Sequence, residues 1–148
     1  MELYTPSHYI IESAQHPATR FHVLGKEEAD DLRKDILNKF AAGNPKVIWQ
    51  DLLSSASVHD PNAWRWIDSY LSGNSFVLFF DEQEDKSMFQ FPPGTRLTPI
   101  LEECPGFEFY VTDYAATYLL CFNHHDYLIA AGRAEAWLAN YLHGTTGG

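Results

Sequence analysis

From Ser75 onward the chain is a succession of short apolar runs, each cut by a polar turn or a proline, and this pattern admits little except an antiparallel sheet. Residues 75–81 are almost wholly apolar, and 87–91 follow after the acidic turn Glu82-Gln83-Glu84-Asp85-Lys86, so the two runs form a hairpin. Pro92-Pro93-Gly94 breaks it, Thr98-Pro99 opens a short helix through Glu103, and Pro105-Gly106 ends that helix. Residues 107–112 alternate, with Phe107, Phe109 and Val111 on one face and Glu108, Tyr110 and Thr112 on the other, which predicts a half-buried strand. Two further strands are expected over 118–122 and 127–131, joined by Asn123-His124-His125-Asp126.

The first half reads as helical. Over 26–42 the residues Ala29, Leu32, Ile36 and Phe40 form one stripe, acids fill the first turn, and Gly43-Asn44-Pro45 supplies a stop. Asp60-Pro61 resembles an N-cap with proline at the first helical position, after which Trp64, Ile67 and Leu71 repeat at helical spacing up to Gly73. Trp66 and Tyr70 add a second apolar stripe, so this helix should be covered on both sides. A closing helix carries Ala134, Trp137, Leu138, Tyr141 and Leu142 before Gly144, with Trp137 and Leu138 expected against the sheet. The predicted class is α+β: N-terminal helices, then a mainly antiparallel meander of about five strands, closed by a C-terminal helix. With 148 residues and no internal repeat or linker, residues 1–148 are read as one domain.

Composition narrows the function. At 45% hydrophobic and 15% aromatic residues the chain is far from a disordered polymer. Its formal net charge of -10 disfavours contact with a phosphate backbone and favours a basic partner. Cys104 and Cys121 stand alone, without a CxxC pattern, and read as reduced, buried thiols. The start of the chain lacks the basic and apolar segments of a signal peptide, and no apolar run reaches membrane-spanning length. A cytoplasmic protein without membrane or nucleic-acid contact is expected.

Chemistry concentrates in Asn123-His124-His125-Asp126, for which three readings are open. As a metal site, one histidine and Asp126 would join ligands from His8, His16, His22, His59 or His143, although adjacent histidines in extended backbone point to opposite faces. As a catalytic site, His124 or His125 would be a general base oriented by Asp126, but no GxSxG or reactive cysteine context names a nucleophile. As a turn, Asn123 and Asp126 would bond the backbone while the histidines pack or face water. Arg133, at the start of the last helix, is a candidate for contact with an anion or carboxylate. The glycines are scattered as caps and turns, so no phosphate-binding loop is present.

The stretch Gly106-Phe107-Glu108-Phe109-Tyr110-Val111-Thr112, then Tyr118-Leu119-Leu120-Cys121-Phe122-Asn123-His124-His125-Asp126, then Gly132, Ala134 and Trp137-Leu138, resembles a family of small bacterial proteins. Some of its members are similar to immunity proteins of contact-dependent or polymorphic toxin systems. The resemblance covers the C-terminal third and, through Trp64-Arg65-Trp66-Ile67, part of the middle, and it brings no catalytic residue with it. It implies a binding protein that neutralises a cognate toxin by stoichiometric contact, and the acidic charge makes a basic toxin domain the expected partner. The alternatives are a small enzyme using the His124, His125 and Asp126 turn, and a regulatory or structural module of a larger complex. Candidate contact residues are Asp81, Glu82, Glu84 and Asp85 in the acidic turn, the polar turn 123–126, and Arg133, with both turns expected at accessible ends of the sheet. No cofactor and no stoichiometric metal are expected.

Overall fold

The computed structural model describes residues 5–15 and 19–146, the stretch 142–146 as backbone only. His16 and the side chains of Leu142 and His143 therefore lie outside the described residues. Among these residues the fold is α+β, with one open antiparallel sheet of seven strands in the order β1-β4-β3-β5-β6-β7-β2. The strands are β1 (His22–Val23), β2 (Ala56–His59), β3 (Phe76–Phe79), β4 (Met88–Phe91), β5 (Phe109–Thr112), β6 (Tyr118–Phe122) and β7 (Tyr127–Gly132). Five helices accompany them: α1 (Pro6–Gln15), α2 (Lys26–Phe40), α3 (Ile67–Leu71), α4 (Leu97–Glu102) and α5 (Arg133–Thr146).

The expected count of about five strands is too low. The two additional strands, β1 and β2, form the edges of the sheet, where β1 has two residues and β2 alternates half-buried with exposed positions, so neither carries an apolar run. Nor is the sheet a continuous meander. Helix α4 returns the chain across the hairpin, and β5 pairs with β3 instead of β4, with Leu78 opposite Val111.

Both faces of the sheet are covered. Phe76, Leu78, Phe91, Val111, Leu120 and Phe122 pack with Ile10 of α1, Ile67 and Leu71 of α3, Ile100 of α4, and Leu138 of α5. Val77, Phe79, Tyr110, Leu119 and Cys121 pack on the opposite face with Ala29, Leu32, Ile36 and Phe40 of α2 and with Ile48. Strands buried on both faces read as unbroken apolar runs. For this reason β5 is not half-buried as its alternation suggests: Tyr110 and Thr112 are as inaccessible as Val111, because α2 covers their side. Each large side chain so buried contributes about 1.5–3 kcal/mol.

The helix predicted from Asp60 begins later and more tightly. Asp60 accepts a bond from the Asn62 amide, a 3-10 turn spans Ala63–Trp66, and only then does α3 start. Asp68 of α3 caps α4, accepting from the Leu97 and Thr98 amides at 2.7 and 2.9 Å. The second stripe of that segment is covered by α5: Trp66 stacks on Tyr141, and Tyr70 packs on Trp137. Trp137 packs against the core cluster of Leu78 and Leu138 but is only half-buried, whereas Leu138 is fully buried in it.

Gly132 makes the turn from β7 into α5 with φ of +64°, and a Cβ at this position would meet the Thr117 carbonyl oxygen and the Phe40 ring at 2.7 Å. Gly132→Ala therefore combines left-handed strain with a backbone clash and should be strongly destabilising. Leu138→Ala should cost about 2–5 kcal/mol, and Trp137→Ala less, because part of its ring already faces solvent. Urea denaturation of the three variants measures this order.

Candidate functional site

Strand register brings the two polar turns to one end of the sheet. Phe79 pairs with Tyr110 and with Met88, Phe109 with Phe122, and Phe122 with Leu128. The segment 80–87, the start of β5 at Glu108, and the turn 123–126 are therefore neighbours. Arg133 is not among them: Gly132 pairs with Tyr118, and the Arg133 amide bonds the Thr117 carbonyl at the opposite end.

Asp81, 3% exposed, anchors this end. Its Oδ1 accepts from the Tyr110 hydroxyl at 2.8 Å and from the Ile48 amide at 3.2 Å. The Tyr110 hydroxyl in turn accepts from the Trp49 amide at 3.3 Å. Arg33 of α2 donates to the Phe80 carbonyl at 3.1 Å and pairs through Nε with Glu82 at 3.4 Å. Burial pushes the Asp81 carboxyl above its ordinary range, against the hydrogen bonds that pull it down, and burial likewise lowers the Arg33 guanidinium. Asp81 is thus part of the framework and not a contact surface.

Trp49 carries the connection to the polar turn. Its indole Nε1 donates to Glu108 at 3.2 Å, and Glu108 also accepts from the His124 amide at 3.1 Å and contacts His124 Nδ1. The indole lies edge-on to both histidine rings, whose centroids are 3.9 Å apart. Adjacent histidines come together here because the backbone turns. Asn123, 3% exposed, accepts from the His125 and Tyr127 amides at 3.0 and 3.1 Å, and Asp126 adopts φ of +64°. Asn123 builds the turn, while His124, His125 and Asp126 are exposed on it.

Asp85 is a cap as well. It accepts from the Ser7 amide at the start of α1 and from the Ser87 amide, each at 2.9 Å. Burial raises its carboxyl, but these bonds outweigh burial and leave it lowered. Of the acidic turn, Glu82 and Glu84 remain on the surface.

Two hollows meet at His124 and Phe107, which line both. One, of about 350 Å³, is bounded by Trp49, Asp81, Glu84 and Glu108. The other, of about 220 Å³, is walled by Trp64, Leu101, Cys104, Phe109 and Phe122, with Asp126 at it. Burial pushes the Cys104 thiol up to about 11, and its Sγ donates to the Ile100 carbonyl at 3.3 Å, so it is no ready nucleophile. Cys121 is fully buried, and burial holds its thiol well above the usual range. Among the described residues no three of His, Cys, Asp and Glu lie together as a metal-binding group, and no helix is long and apolar enough to cross a membrane.

Sequence reasoning missed Arg33, Trp49, Glu108 and Tyr110 as parts of this site. Arg33 left one trace: it lies on the Ala29, Ile36 and Phe40 stripe of α2, where an apolar residue is expected. Compared with protein-family models, curated proteins and solved structures, the chain matches none.

Asp81→Ala should destabilise by about 2–5 kcal/mol, since it leaves the Tyr110 hydroxyl and the Ile48 amide without an acceptor beside a buried guanidinium. The Asp85 carboxyl is lower in the folded than in the unfolded chain, so its contribution is present above the unfolded value of about 3.9 and is lost as pH falls through the folded value. The stability difference between wild type and Asp85→Asn should therefore shrink in acid, as read by denaturation across pH.

Proposed function

We propose that this protein is a binding module that engages a basic partner protein at the sheet end carrying Glu84, Glu108, His124, His125 and Asp126. The observation that carries this reading is the convergence of the two turns: a buried framework holds them together around shared hollows, so that Glu84 and Glu108 border the same 350 Å³ space. A preformed surface loses little entropy on binding. Its acids lie in a chain of net charge -10, which attracts a basic partner and accelerates encounter. The resemblance of the segments 106–112 and 118–126 to a family some of whose members are similar to toxin-immunity proteins supports a cytoplasmic immunity protein that neutralises a cognate toxin by stoichiometric binding. Arg133, at the other end of the sheet, has no part in this surface.

One contact favours a second reading. Glu108 holds Nδ1 of His124 beside an apolar hollow, the arrangement of a histidine general base with its orienting carboxylate. With Cys104 protonated, such a base would have to activate water. Turnover of simple esters or amides that His124→Gln abolishes would favour this reading over the first.

The binding reading is tested by sequencing the neighbouring gene and, where it encodes a toxin, titrating its toxin domain against this protein. Its affinity should fall with rising salt, and Glu84→Lys should weaken it by about tenfold and flatten the salt dependence. Tight binding indifferent to salt and to reversal contradicts the electrostatic mechanism. Failure to bind that domain, and failure of expression to protect cells against it, contradicts the immunity reading.

A further inference from the structure

Arg33 is 7% exposed, and its Nη2 has no hydrogen-bond acceptor although Nη1 and Nε are engaged. A buried guanidinium nitrogen without an acceptor is unfavourable, and such groups in folded proteins ordinarily find a partner. Arg33 lines a hollow of about 410 Å³ between α2, the segment 44–48 and the acidic turn, together with Asn44, Lys46, Glu82, Gln83 and Lys86. Three of the ten lysines and arginines of this acidic chain thus face one space, where Glu82 is the one carboxylate in the lining, with Asp81 and Asp30 also acting on Arg33 from outside it. Among the described residues Lys46 and Lys86 enter no ion pair.

We infer that this hollow is a binding site for a small oxyanion, a carboxylate or phosphate group, held by the charge of the Arg33 guanidinium in its wall and of Lys46 and Lys86 at its rim. The guanidinium fork matches such a group geometrically, and the two ammonium groups add charge that a water molecule would not satisfy. Asn44 and Gln83 supply amide donors for remaining oxygens. Glu82, more than half exposed and at 3.4 Å from Nε, stands where a ligand oxygen would approach the fork, and so competes with the ligand. This site adjoins the proposed partner surface, since Gln83 lines both hollows, but its cations come from α2, Lys46 and Lys86 and none of its residues from the histidine turn.

The competition makes the inference testable with the full chain. Inorganic phosphate and acetate are titrated separately by calorimetry at low ionic strength into wild type, Glu82→Gln, the double variant Lys46→Ala/Lys86→Ala, and Arg133→Ala as a distant control. At least one anion should bind saturably at one site; phosphate alone identifies a phosphate group as the ligand chemistry, and acetate binding identifies a carboxylate. Removing the competing carboxylate in Glu82→Gln should tighten binding by about tenfold, the double variant should weaken it by about tenfold, and Arg133→Ala should leave it unchanged. Thermal midpoints in buffer alone confirm that each variant is folded. Absence of saturable binding by both wild type and Glu82→Gln overturns the inference. So does binding that the double lysine variant leaves unchanged, or that Arg133→Ala weakens equally.

Discussion

The carboxylate of Asp81, buried just beyond the end of the central strand β3, is the interaction on which the rest of this end of the molecule depends. The chain between α2 and β2 contains only a short 3-10 turn at Ile48–Asp51 and an isolated bridge from Ala41 to Leu52. It is fixed to the sheet because the Ile48 amide and the Tyr110 hydroxyl both reach one oxygen of Asp81. Trp49 is positioned as a result, and Trp49 with Glu108 positions His124. A buried charge held in this way adds little net stability, but removing it strands its donors, so its effect is to select one arrangement over others.

That framework separates residues that build the surface from residues that present it. Asp81, Asp85 and Asn123 accept backbone or buried donors and spend their polarity inside the fold. Glu84, His125 and Asp126 remain exposed. The same turn that gives the acidic face its shape also bounds the basic hollow around Arg33, with Glu82 and Gln83 lining that hollow and Gln83 and Glu84 lining the other. Opposite charges therefore lie close together on one end of the sheet, and neither net charge nor any one cluster describes what the end can bind.

Much of the fold was legible because periodicity reports burial. Helix α2, the β3–β4 hairpin, strands β6 and β7 and the closing helix all lie where their apolar spacing puts them. The failures have physical causes. Strands β1 and β2 are edges whose pairing comes from backbone bonds, not from an apolar pattern. Strand β5 has Tyr110 and Thr112 on its second face, where they bond Asp81 and the Tyr118 carbonyl, so hydroxyls taken for solvent-facing groups are inside. Helix α1, which the sequence did not announce, is docked through Ser13 on the Ile100 carbonyl and through Asp85 on the Ser7 amide. Both turns of the candidate site were visible as local composition, but their meeting depends on the pairing of β3 with β5, a contact between residues more than thirty positions apart. Trp49 and Glu108, which join them, carry no local mark of that role.

The central claim is that the two turns are one mechanically connected surface, and amide hydrogen exchange of Tyr110→Phe against wild type tests it most directly. Removing that hydroxyl takes a donor from Asp81 and an acceptor from the Trp49 amide, and loosening Trp49 should release Glu108 from its indole bond. The account predicts exchange faster by about tenfold at Ile48 and Trp49 and also at His124, with Arg133 at the far end unchanged. Faster exchange confined to residues adjoining position 110, with His124 as protected as in wild type, would contradict it.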